Sequence, residues 1–132
     1  MTTDERPQYR RLCDYMLHQR KLAQDTIARH TALVADAAAS TEDHAGHTTV
    51  DRVGNLEPLF EAAAWLAAAD VVLRRRGATM AELRDFVDGH LQGASRSLVN
   101  STSPTHNLVR IYQVMVWSNI IDHFNLEGWG VR

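Results

Sequence analysis

The stretch "VVLRRRGATMAEL", residues 71–83, holds the end of one helix and the start of the next. Gly77 suits the left-handed position just past a helix C-terminus, which an L side chain resists. Thr79, followed three residues later by Glu82, has the form of a capping box. There the hydroxyl and the carboxylate each satisfy a backbone N–H that the first helical turn leaves open. Arg74, Arg75 and Arg76 fall in the last turn of the upstream helix, where cations meet the negative end of the helix dipole. Helix, glycine turn and capped helix in succession point to an all-α chain.

Upstream of this junction a helix is expected over 56–76. Asn55 stands as N-cap, and Glu57 and Pro58 lie in the first turn. Leu59, Phe60, Ala63, Leu66 and Ala67 form its expected buried face. Asp70 shares that face, with Arg74 one turn later to neutralise it. Trp65 and Val72 point the other way, so this helix is expected to be covered on two sides. Downstream, a helix over 80–100 buries Met80, Leu83, Phe86, Val87, Leu91, Ala94 and Leu98, with His90 on the same side. Gly89 and Gly93 lie off this stripe, and each costs up to about 1 kcal/mol against alanine in a helix interior.

The outer elements follow the same pattern. A first helix over 7–39 carries Tyr9, Leu12, Met16, Ala23, Ile27 and Val34 at threes and fours. Its other face alternates charge, with Arg10–Asp14, Lys21–Asp25 and Asp25–Arg29 at i,i+4. Residues 40–55 read as a polar loop. Ser103 followed by Pro104 starts a fourth helix over 104–124. This helix is apolar nearly all round, with a narrow polar stripe through Arg110, Gln113 and Asp122. It is therefore either central to its own bundle or shared with another subunit. No segment alternates with period two between hairpin turns. The expectation is one domain over 1–132, a single four- to five-helix bundle.

At 45% hydrophobic and 23% charged, the 132 residues have the balance of a soluble globular domain. Cys13 is the one cysteine, which excludes an internal disulfide framework and fits a cytoplasmic location. No apolar run reaches the roughly 20 residues of a membrane span. The net charge of −2 excludes a uniformly basic nucleic-acid binder. Of the 14 basic residues all but Lys21 are arginine, whose planar fork suits phosphate and carboxylate.

The candidate backbone-contacting cations are Arg6, Arg10, Arg11, Arg74, Arg75, Arg76, Arg84 and Arg96. Such contacts give affinity without reading sequence. Trp65, Tyr112, Trp117 and Trp129 are the candidate subunit-interface residues. His44 and His47, in an acidic loop with Glu42, Asp43 and Asp51, form the one candidate metal pair. A three-histidine set of His47, His106 and His123 is the other metal arrangement to weigh. No nucleophile elbow, phosphate-cradling glycine loop or isolated carboxylate pair is present. No catalytic residue and no cofactor is therefore assigned, and the chain reads as a non-enzyme.

With those arginines, that length, that helix count and the apolar fourth helix, the chain resembles the small helical subunits of CRISPR effector (Cascade-like) complexes. The resemblance spans the chain as architecture. It implies a ribonucleoprotein subunit of antiviral defence that stacks against copies of itself and larger subunits. Its basic surface would hold single-stranded nucleic acid or a guide–target duplex, DNA or RNA. The leading expectation is thus a non-catalytic assembly subunit of a nucleoprotein complex. One alternative is a dimeric helical DNA-binding regulator using residues 79–100, with a turn at Gly89 or Gly93. A second is a small metal-dependent helical enzyme using the His44/His47 loop.

Overall fold

The computed structural model describes residues 1–39 and 56–131. Among these residues there are four helices and no strand: α1 (Glu5–Ala39), α2 (Glu57–Arg74), α3 (Met80–Asn100) and α4 (Pro104–Glu127). The all-α bundle expected from the sequence is the fold observed.

The local signals around the α2–α3 and α3–α4 junctions are realised as hydrogen bonds. Thr79 Oγ1 accepts from Glu82 N–H at 3.1 Å, and Thr79 N–H donates to Glu82 Oε2 at 3.4 Å. Ser103 Oγ accepts from His106 N–H at 3.4 Å, with Pro104 opening α4.

Four helix boundaries differ from expectation. α1 starts at Glu5 rather than 7, because Thr2 O accepts from both Glu5 and Arg6 N–H and winds Pro7 into the first turn. α4 continues past 124 to Glu127, where Gly128 at φ 69° turns the chain left-handed. α2 is shorter than expected at both ends. It starts at Glu57 with Leu56 as an N-cap that makes no side-chain bond, and Asn55 lies outside the described residues. It stops at Arg74 rather than 76, because Arg75 is extended (φ −80°, ψ 110°) and turns towards α3. Gly77 has the expected positive φ of 75°, but two residues beyond this cap. Arg75 and Arg76 therefore lie in the connection, not in the helix.

α1 runs antiparallel to α2, and α3 runs antiparallel to α4. The two hairpins join chiefly through α2 on α4, while α1 meets α3 only briefly. α2 and α3 do not pack along one another, although they are consecutive. The core comprises Leu12 and Met16 of α1, Trp65 and Val72 of α2, Met80, Leu83 and Val87 of α3, and Val116, Ile120 and Phe124 of α4. Trp129 closes it from the C-terminal turn. Each large apolar side chain so buried stabilises the fold by about 1.5–3 kcal/mol.

The buried face of α2 is rotated from the expected one. Ala62, Ala64, Trp65, Ala68, Ala69 and Val72 are buried, whereas Phe60, Ala63 and Ala67 are exposed. In a helix this rich in alanine nearly every face is apolar, so the position of Trp65 decides the orientation. Asp70 consequently pairs with Arg20 of α1 at 3.7 Å rather than with Arg74. On α1, Leu12, Met16 and Ala23 are buried as expected, while Val34 is exposed because residues 31–36 extend past the bundle. Of the i,i+4 pairs on its outer face, Lys21–Asp25 closes at 3.8 Å. No helix among the described residues is long and apolar enough to cross a membrane.

Candidate nucleic-acid interface

The antiparallel pairing of α1 and α2 brings the start of one beside the end of the other. Tyr9 shows this directly. Burial, then a hydrogen bond with Cys13, pushes its hydroxyl pKa up from the ordinary value, while the nearby Arg76 guanidinium pulls it back. Arg6, Arg10 and Arg11 of α1 thus share one end of the bundle with Arg74, Arg75 and Arg76, and all six are exposed. Two of the acids at this end face backbone instead. Glu5 Oε2 accepts from Thr2 N–H at 3.3 Å, and Glu82 is engaged in the α3 cap.

Arg75 is further fixed, its guanidinium carbon lying 4.4 Å from the centroid of Phe86. A cation over an aromatic face contributes about 0.5–1 kcal/mol at an exposed site. A guanidinium lying over a ring in this way keeps its charge, and Arg75 remains exposed.

Two of the eight candidate arginines lie elsewhere. Arg84 is half-buried and donates to Trp129 O at 3.2 Å and to Asn125 Oδ1, so it fastens the C-terminal turn onto α3. Arg96 is exposed, but it lies about 18 Å farther along α3, towards the opposite end of the bundle. The surface is therefore one cluster of six rather than a track of eight.

Trp65, Tyr112, Trp117 and Trp129 are all buried within the chain's own core. This corrects their expected place on a subunit surface. Tyr15 meets Trp65 edge-on at 6.2 Å, and Trp129 meets Phe124 edge-on at 5.7 Å. Phe60 stacks over Tyr112 at 6.2 Å. Burial, reinforced by Glu57 and Glu61, raises the pKa of the Tyr112 hydroxyl. The apolar residues left uncovered on α4 include Leu108, Ile111 and Met115, between 36% and 44% exposed, on one stripe at i, i+3 and i+7.

The alternative readings fare differently. Residues 80–100 form one unbroken helix, so the turn at Gly89 or Gly93 that a helix-turn-helix needs is absent. Two separated glycines lower helix propensity without breaking a helix whose apolar side is packed. His44 and His47 lie outside the described residues. His106 and His123 are about 25 Å apart along α4, too far to share an ion. His123 instead stacks on Tyr15 at 3.9 Å. Among the described residues no three His, Cys, Asp or Glu side chains converge for a metal. His90, expected in the core, is exposed and stacked on Trp117 at 4.6 Å.

Comparison with known proteins finds no matching family model, no matching curated protein and no matching solved structure.

Proposed function

We propose that the protein is a non-catalytic helical assembly subunit of a nucleoprotein complex. It packs against copies of itself or larger subunits and holds nucleic-acid backbone through arginines. The observation that carries this reading is the six-arginine end made by the start of α1, the end of α2 and the connection that follows it. Guanidinium groups gathered from two chain segments, with Glu5 and Glu82 turned to backbone, suit the charge of phosphates. The uncovered Leu108–Ile111–Met115 stripe supplies a protein-facing surface on a different helix. The kind of assembly this points to is the one the sequence resembles, a CRISPR effector in which small helical subunits line a nucleic-acid strand.

The test is fluorescence anisotropy with a labelled single-stranded oligonucleotide at several salt concentrations. If about four phosphates are engaged, log affinity falls against log salt with a slope near −3. Replacing Arg74, Arg75 and Arg76 together by alanine should flatten that slope by about 2, whereas Arg96→Ala should leave it unchanged. Binding that is absent at low salt, or equally sensitive to Arg96, refutes the proposal.

A further inference from the structure

Where α2 and α3 fail to pack along one another, a groove of about 650 Å³ opens, with α4 as its floor. One wall is alanine-lined α2. The other is α3, with Gly89, His90 and Gly93. Trp117, Gln113 and Arg110 form the floor. The volume lies in the range of small-molecule sites, as does the combination of an apolar lining with a few polar groups.

Three features of the groove converge. First, a Cβ built on Gly89 or Gly93 would meet nothing within 4 Å. Both glycines weaken α3, and no neighbour fills the space they leave; their effect is to keep the wall low. Second, exposed His90 stacks face to face on buried Trp117 (16°) and meets Phe86 edge-on at 4.7 Å, so the flat surface the groove offers is the outer face of the imidazole, backed by the indole. Third, Arg110 is half-buried in the floor, and its Nη1 donates to Gln113 Oε1 at 3.0 Å. A neutral amide orients that guanidinium without cancelling its charge. Arg110 and Trp117 are seven residues apart, so they share a face of α4 about 10 Å from each other.

We infer that the groove binds a small organic anion: a flat aromatic body on the outer face of His90, which Trp117 backs, joined by a short arm to a carboxylate held by Arg110. A guanidinium positioned by an amide rather than a carboxylate keeps its charge for a carboxylate, and the aromatic surface selects a planar ring. The inference does not rest on the arginine end, which adjoins the groove only at Phe86, the ring beneath Arg75.

The probe is 1-pyrenebutyrate, whose carboxylate stands one short arm from its ring, and the control is 1-pyrenebutanol. Both are followed by fluorescence anisotropy on the full chain. The acid should bind saturably, and at least tenfold tighter than the alcohol. Arg110→Ala should weaken the acid about tenfold or more and leave the alcohol unchanged. Gly93→Leu fills the groove and should abolish binding of both, while its melting temperature stays at or above that of the parent. Equal affinity for acid and alcohol, or insensitivity to Gly93→Leu in a folded variant, overturns the inference. So does a dimer in sedimentation that Gly93→Leu dissociates, because the groove then holds a helix of a second copy.

Discussion

Replacing Trp129 by alanine removes an indole that is 1% exposed, seated edge-on against Phe124 at 5.7 Å and against His123 at 5.1 Å. The backbone around it is equally constrained. Trp129 N–H donates to Phe124 O at 2.9 Å, its carbonyl accepts from Arg84, and Gly130 next to it has φ +68°. A Cβ on Gly130 would stand 2.6 Å from Met80 O, so the turn lies directly on the start of α3 and has little room to collapse into a cavity. Truncation of a buried tryptophan costs about 3–5 kcal/mol, and a site that cannot relax belongs in the middle or upper part of that range. With an unfolding entropy of about 2.1 cal/mol/K per residue, a loss of about 4 kcal/mol lowers the melting temperature by roughly 14 °C. Leu126, in the last turn of α4, is the control. It is 80% exposed, and its alanine variant should melt within about 2 °C of the parent. The assay is thermal unfolding followed by far-UV circular dichroism. If Trp129→Ala melts within about 3 °C of the parent, the C-terminal turn is not part of the core, and the role given to Arg84 falls with it.

Thr79→Ala removes one half of the α3 capping box and should lower stability by about 1 kcal/mol, read as a shift in the urea midpoint with unchanged slope. Gly89→Ala puts a methyl group into open space on a regular helix and should raise stability by up to about 1 kcal/mol in the same assay. All three tyrosines, Tyr9, Tyr15 and Tyr112, have hydroxyl pKa values raised chiefly by burial. Their phenols should ionise above the ordinary value near 10 when absorbance at 295 nm is followed against pH. Because the unfolded phenols lose their protons first, the stability they contribute is intact below about pH 10 and declines as pH rises from there towards the folded values. A phenol titrating at its ordinary value in the folded protein would contradict the burial assigned to it.

The parts of this fold that could be read from the sequence are those decided by a few neighbouring residues. Thr79 with Glu82, Ser103 with Pro104, and the left-handed glycine at 77 each carry their geometry within four positions. The face of α2 was not readable in that way. Six alanines in eighteen residues leave the helix apolar on most sides, and only the core formed by α1 and α4 shows that Trp65 points inward. Arg84 looked like a free cation because the carbonyl it holds lies 45 residues away. Arg110 looked like part of a solvated stripe because the groove over it exists only where two other helices diverge. The arginine end was half-legible: the triplet at 74–76 was plain, but its union with Arg6, Arg10 and Arg11 depends on an antiparallel pairing.

α1 has 35 residues and is about 52 Å long, while its partner α2 has 18 and reaches about 27 Å. Beyond His30, residues 31–36 are all exposed, so among the described residues the last turns of α1 lean on little besides their own i→i−4 bonds. A free-standing helix of that length is marginal in water, and these turns stay wound because the packed half has already supplied the nucleus. Along this one continuous helix, amide hydrogen exchange should therefore run as a gradient, slowest around Leu12 and Met16 and fastest towards Ala39, with no break to mark where the body stops and the projecting end begins.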